Sequence, residues 1–278
     1  MQVKLILMLL IVLMLFMENT PVSADEKAIE IISEGSVLVG DDITMGQAKA
    51  AALNNARRIA LEKSLGVEVH GSTSVYNFQL INDLVVTATR GLIVKEKIFE
   101  NKCQAKDEQI YCLAKIEATV KPLNRERRGN FAVTQLSVHR PDRQENVKSP
   151  VFNCSDEIHV HTAANQDAYM NIFSVDQIGN ISQIYPNSYC TIEKTMAGKE
   201  IIVPDDSQRK AGLKMKVRTP KGVKKAVESV LVIATKDKVD FLKAKDIENP
   251  TITDLMRELS ELDPSLWAEK AVGYEVRE

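Results

Sequence analysis

No apolar run in this chain reaches the roughly 20 residues that a helix needs to cross a bilayer. The longest, Leu5–Met17, has 13 residues. Charge of one sign is also missing: 36 basic against 38 acidic residues leave a net charge of -2. That balance gives no general attraction to nucleic acid or to an anionic membrane. Cysteine is sparse, and none of the four falls in a C-x-x-C spacing, which argues against zinc and dithiol redox chemistry. There is no G-x-S-x-G, no H-E-x-x-H and no phosphate-cradling P-loop, so the local frames of a serine hydrolase, a zincin and a nucleotidase are absent. Aromatics make up 5% of the chain, with Trp267 the single tryptophan. No internal repeat or low-complexity tract occurs.

What is present begins with an address. Met1–Lys4 carry one positive charge, Leu5–Met17 are apolar, and Pro21-Val22-Ser23-Ala24 precede Asp25. This is the form of a secretory signal peptide, with cleavage expected after Ala24. No cysteine follows that point closely, so a lipid anchor is not expected, nor is an integral membrane segment after cleavage. The whole chain is 44% hydrophobic and 27% charged, which is ordinary for a globular protein. Its length suggests two domains, at roughly 100–200 residues each.

Residues 25–121 read as an α+β domain, helices packed on an antiparallel sheet. A short strand over Glu34–Gly40 is followed by Thr44-Met45-Gly46-Gln47, a capping-box pattern. Ala48, Ala52, Ala56, Ile59 and Ala60 then recur at helical spacing, and Gly66 stands where the helix should stop. A stripe of alanines predicts a helix that sits close to its sheet. Asp41-Asp42 precede it and favour the positive end of its dipole. A second helix is expected over Phe78–Thr89, then strands over Lys97–Lys102 and Ile110–Val120.

An even cysteine count in an exported chain favours disulfides. Pairing Cys103 with Cys112 across that hairpin leaves Asp107-Glu108 as a two-residue turn. A bridge closing such a loop contributes about 2.5 kcal/mol on the chain-entropy account. Cys154 and Cys190 would then pair with each other; buried free thiols are the alternative.

Residues 122–130 carry Pro122, Gly129, Arg125, Arg127 and Arg128 without apolar periodicity, and read as a basic linker. From residue 131 to 278 strands dominate, expected at 131–139, 157–163, 168–176, 181–185, 200–204, 213–219 and 226–235. This spacing predicts an antiparallel β-sandwich. Gly179 supplies the turn in Asp176–Asn180. Thr251 opens a short helix with Leu255, Met256, Leu259 and Leu262 on one face, Asp263-Pro264 ends it, and Ala271–Arg277 alternate as a last strand.

Two resemblances follow from these residues. Glu34-Gly35, Ala48, Ala52, Asn55-Ala56, Ala60, Gly66-Val67, Thr73, Val75, Asn77 and Gly91 together resemble the N-terminal domain of the flagellar assembly protein T family. The later set, Asp167–Asp176, Gly179, Tyr185-Pro186-Asn187, Pro204, Thr219-Pro220-Lys221-Gly222 and Glu228–Thr235, resembles the family catalogued as domain of unknown function 4384. Cys154–Glu157 stand where that family has a glycine. The resemblances imply a bacterial, periplasmic protein and no shared reaction.

His159 and His161 share a strand face and could place two imidazoles on one ion. No third ligand is fixed, so they read as the solvated face, with Ile158 and Val160 inward and no metal expected. Tyr169, Phe173, Tyr185 and Asn187, with Tyr189 nearby, form the candidate binding cluster if the rings face solvent; facing inward the aromatics are core, which is the favoured reading. Asn187 is expected in a turn, and Trp267 should anchor the C-terminal segment. The expectation is a non-enzymatic periplasmic protein without a cofactor that mediates protein–protein contacts in envelope assembly, flagellar or secretion-related. The alternative is an envelope glycan or peptidoglycan ligand at the aromatic cluster. Nucleic acid is not expected as a partner.

Overall fold

The computed structural model describes residues 27–40, 43–66, 91–106, 108–123, 129–142, 150–187, 190–243 and 249–278. The signal segment, Asp41-Asp42, Val67, Thr73, Val75, Asn77, the expected helix over 78–89, Asp107, Arg125, Arg127, Arg128 and Tyr189 lie outside the described residues. The chain is mostly β with antiparallel sheets. β1 (Ile29–Leu38), β2 (Gly91–Lys106) and β3 (Gln109–Pro122) form a three-stranded sheet in the order β1-β3-β2. The hairpin keeps Cys103 directly opposite Cys112 and Lys106 opposite Gln109, and the two cysteines are joined.

Helix α1 (Met45–Ser64) lies on this sheet. Both halves of its capping box form: Gln47 N–H donates to Thr44 Oγ1 at 3.2 Å, and Thr44 N–H donates to Gln47 Oε1 at 2.8 Å. Ala48, Ala51, Ala52, Ala56 and Ala60 are fully buried, facing Val37, Cys112, Ala114, Ile116, Ala118 and Val120 in one apolar cluster. Gly35 marks the closest approach. A Cβ built there would lie 2.3 Å from Ala56 N and 2.4 Å from Ala52 O. The alanine stripe thus sets the helix-to-sheet distance, and Gly35 makes that distance possible.

The single-stripe expectation for this helix is too narrow, because Asn54, Asn55, Arg57 and Arg58 are buried as well. Arg57 holds Glu96 of β2 through Nε at 2.7 Å and Nη2 at 2.9 Å, and donates from Nη1 to Asn54 Oδ1. Asn54 in turn presses on the 176–180 turn. A Cβ on Gly179, whose φ is +87°, would meet Asn54 Nδ2 at 3.2 Å. Asn54 thus meets the other half of the chain, while Arg57, Asn55 and Arg58 find their partners in β2, β1 and the helix itself.

That other half contains a six-stranded sheet and a three-stranded sheet. The larger one runs β5 (Val151–Asn153), β12 (Trp267–Arg277), β11 (Lys225–Thr235), β7 (Ala168–Val175), β8 (Ile181–Tyr185), with β9 (Lys194–Thr195) also pairing with β7. β5 joins β12 in parallel; the remaining pairings are antiparallel. The smaller runs β10 (Ile201–Val203), β6 (His159–Ala164), β4 (Val133–His139). The expected strand at 213–219 is only a single bridge, Lys216 to Glu157. Short helix α2 (Asp206–Lys210) follows β10, and α3 (Ile252–Ser260) and the turn Pro264–Leu266 precede β12.

The period-two rule for strands explains the layering. Met170, Ile172, Val230 and Val232 face the smaller sheet, sharing a cluster with Val160, Phe152 and Tyr274. Phe173, Val175, Leu231 and Ile233 point the other way, into the cluster built by α1, α3 and the first sheet. Trp267, 1% exposed, belongs to that same cluster. Lys121 Nζ donates to Ser260 O at 3.1 Å, so polar contacts also cross from the first sheet to α3. The apolar cluster therefore draws on residues from both sides of the 122–130 segment. Among the described residues, no helix is long and apolar enough to cross a membrane.

Candidate functional site

A cleft of about 740 Å³ opens beside β6, β9, β10 and α2. Its walls carry His159, His161, Tyr185, Arg140 and Arg209. β6 positions the two imidazoles, and its burial pattern overturns the expectation of a solvated histidine face. Each histidine is 7% exposed, because β6 is the middle strand of its sheet and β4 brings His139 alongside. The His139 and His161 rings meet edge to face with centroids 5.1 Å apart, and the His159 and His161 centroids are 6.4 Å apart. No group of three His, Cys, Asp or Glu among the described residues has the geometry to hold a metal.

Charged partners fix the surroundings. Arg140 Nε and Nη2 donate to Asp156 Oδ2 at 2.9 and 2.7 Å. Burial alone would raise the Asp156 carboxyl, but the Asn153 amide and the Arg140 guanidinium outweigh it and hold its pKa below the usual value. Glu200 Oε1 lies 3.2 Å from His161 Nδ1 and accepts from Gln135 Nε2 at 2.5 Å. Glu157 Oε1 lies 3.4 Å from Arg209 Nε and 3.9 Å from His159 Nε2. Those last three atoms are buried, and none of them makes a hydrogen bond. Burial, followed by the neighbouring Arg209 charge, lowers the His159 pKa from its ordinary value. The imidazole is therefore neutral near pH 7.

Tyr185 forms part of the wall, and its hydroxyl donates to Thr191 O at 3.3 Å. Burial raises its pKa. The rest of the expected aromatic cluster does not assemble there. Phe173 is fully buried on the far side of its sheet, edge to face with Phe241 at 6.0 Å. It is core rather than a binding surface, because the period of β7 turns it toward α1 and α3. Tyr169 is half-buried, with Lys194 Nζ 5.8 Å from its ring centroid. Asn187 takes a turn position: its Nδ2 donates to Ile184 O at 2.7 Å, and its backbone bridges to Cys190.

The second expected disulfide does not form. Cys154 and Cys190 are both free. Cys154 Sγ lies 3.3 Å from Thr219 Oγ1 and accepts from the Thr219 amide, while buried Cys190 sits in the Asn187 bridge. Each thiol is held by a different local turn, and burial raises the Cys190 pKa.

Residues 151–238 match a family model described as a domain of unknown function, DUF4384. No curated protein matches the chain. The DUF4384 segment runs from β5 past the end of β11 and includes His159, His161, Tyr185, Glu157, Glu200 and Arg209. His139, Arg140 and β12 lie outside it, so the cleft is built mostly, but not wholly, within the matched segment.

A smaller cavity of about 330 Å³ holds Glu228 and Tyr274. The Tyr274 hydroxyl donates to Glu228 Oε2 at 2.5 Å, and burial raises the pKa of both groups. That pair satisfies itself. Unbonded polar atoms at the larger cleft make it the better candidate.

Reasoning from sequence picked out His159, His161 and Tyr185 but missed Arg140, Glu200 and Arg209. Only Arg209 had a legible signal. Asp205 to Gln208 has capping-box form, and both reciprocal bonds are made, at 2.7 and 2.9 Å. The pattern announces the one-turn helix that carries Arg209.

Proposed function

We propose that this protein is an exported, non-enzymatic recognition protein of the bacterial cell envelope, acting by contact in the periplasm. The signal-peptide pattern over residues 1–24 supports the address. The resemblance of residues 28–121 to the flagellar assembly protein T N-terminal family supports a place in envelope assembly, flagellar or secretion-related. The cleft beside β6 is the contact site on the sandwich. The observation that carries this reading is buried His159 Nε2, which lies without a hydrogen-bond partner in the wall of a wide polar cleft. A buried polar atom left unbonded costs about 1–3 kcal/mol, and a bound partner that supplies the missing bond offsets that cost.

An envelope protein is the first class of partner. The second is envelope glycan, favoured by one specific feature: Tyr185 presents a half-buried ring in the cleft wall, where a sugar face could lie. Cosedimentation with isolated envelopes tests the contact site itself. The mature protein is expected in the pellet, and a Tyr185→Ala/Arg209→Ala double variant, folded by circular dichroism, is expected mostly in the supernatant. Equal pelleting of the two would remove the cleft from consideration.

A further inference from the structure

The charges around the cleft decide what kind of molecule it takes. Four basic and four acidic side chains line it. Formal charge cancels, so neither a polyanion nor a polycation gains from the cleft as a whole. Metal is disfavoured locally as well, because the Arg209 guanidinium stands 3.4 Å from the one carboxylate next to His159.

The unbonded atoms are more specific. Glu157 Oε1 only accepts, Arg209 Nε only donates, and the neutral His159 imidazole does one or the other according to tautomer. A hydroxyl group both donates and accepts. Its oxygen placed about 2.8 Å from each partner spans the 3.9 Å between Glu157 Oε1 and His159 Nε2. A neighbouring hydroxyl on the same molecule can then accept from Arg209. Access depends on Arg209 itself, whose side chain is 37% exposed and is carried on a single helical turn at the rim. Glu157 lies behind Arg209, with which it forms an ion pair, rather than on the cleft wall, so a ligand reaches Glu157 Oε1 and His159 Nε2 only when the Arg209 side chain turns outward. Tyr185 lies in the same wall and supplies an apolar ring face.

We propose that the cleft binds a neutral, hydroxyl-rich ligand, a saccharide, through Glu157, His159 and Arg209, with Tyr185 against a sugar face. The proposal rests on the reading of the cleft as the contact site and takes up the second class of ligand named for it, a carbohydrate.

The test titrates the full mature protein with chitotetraose and with maltotetraose, reading calorimetry together with the His159 ring resonances. Saturable binding with a dissociation constant below about 1 mM, accompanied by a shift of the His159 signals, is the expected result for at least one sugar. Arg209→Ala and Glu157→Gln are each expected to weaken it by about tenfold or more. Arg209→Ala changes a side chain at the rim and keeps the protein folded should Glu157→Gln disturb β6. Absence of saturable binding by either sugar overturns the proposal, and so does binding that both variants retain. Envelope pelleting that still depends on Arg209 in that case would leave the contact site standing with a protein partner. Loss of both sugar binding and Arg209-dependent pelleting would bring down the two readings together.

Discussion

The two packing layers of this protein are built on opposite rules. Between α1 and the first sheet, contact is made by what side chains lack: Gly35 against Ala52 and Ala56, with alanines above and below. Between the two sheets of the other half, contact is made by bulk, with Phe152, Met170, Ile172 and Tyr274 filling the space. Where the layer is held at contact distance by glycine and alanine, it has little to lose by truncation and no room for addition. A layer closed on large residues behaves the other way round. The difference shows that stability here is set by separation in one place and by volume in the other.

Enlarging the first layer should break the contrast most sharply. Gly35→Val places its Cβ against helix backbone rather than a movable side-chain tip. The expected loss is about 4 kcal/mol or failure to fold, at the upper end for single substitutions, measured by urea unfolding. Truncating the second layer comes next. Ile172→Ala removes a fully buried side chain and should cost about 3 kcal/mol in the same assay. A similar loss from Ala52→Gly would sink the comparison, since that change should cost only about 1 kcal/mol through helix propensity.

The smallest effect concerns pH, and it sharpens the contrast by asking whether the polar side of the sandwich obeys a third rule. His159 is held neutral by burial and by Arg209, with Glu157 and Asp206 acting in the opposite sense and His161 adding to the lowering. Its folded pKa lies below the unfolded value of about 6.5. Below that value the unfolded chain binds a proton that the folded chain does not. Stability therefore falls as pH drops from about 6.5 toward the lowered folded value. Urea midpoints at about pH 7.5 and about pH 5.5 should separate less in His159→Gln than in the parent. Identical separation in both would exclude His159 as the source.

The first layer was readable because its signals are local. The Thr44 and Gln47 cap, the alanine spacing and the Cys103–Cys112 register each depend on residues close together in the chain, and each appears where its pattern falls. The cleft was less readable because its members come from the end of β4, β6, β8, β10 and α2, and only topology brings them together. Alternation along 158–161 suggested one wet face, but a central strand covered on both sides hides both. Period two reports that faces differ, not which one meets solvent. Phe173 was left open between core and binding surface for the same reason, and it is core. Cys154 and Cys190 were paired by elimination, a step that assumes every thiol needs a mate, and no spacing rule could have shown the separate turns that hold them.

The apolar cluster that takes Ala52 and Leu92 from one half and Phe173, Leu231 and Leu255 from the other bears on how the protein would survive damage. A protease cutting between Leu123 and Gly129 would sever the covalent link but leave that greasy seam intact. The two fragments would stay gripped together through that shared interior.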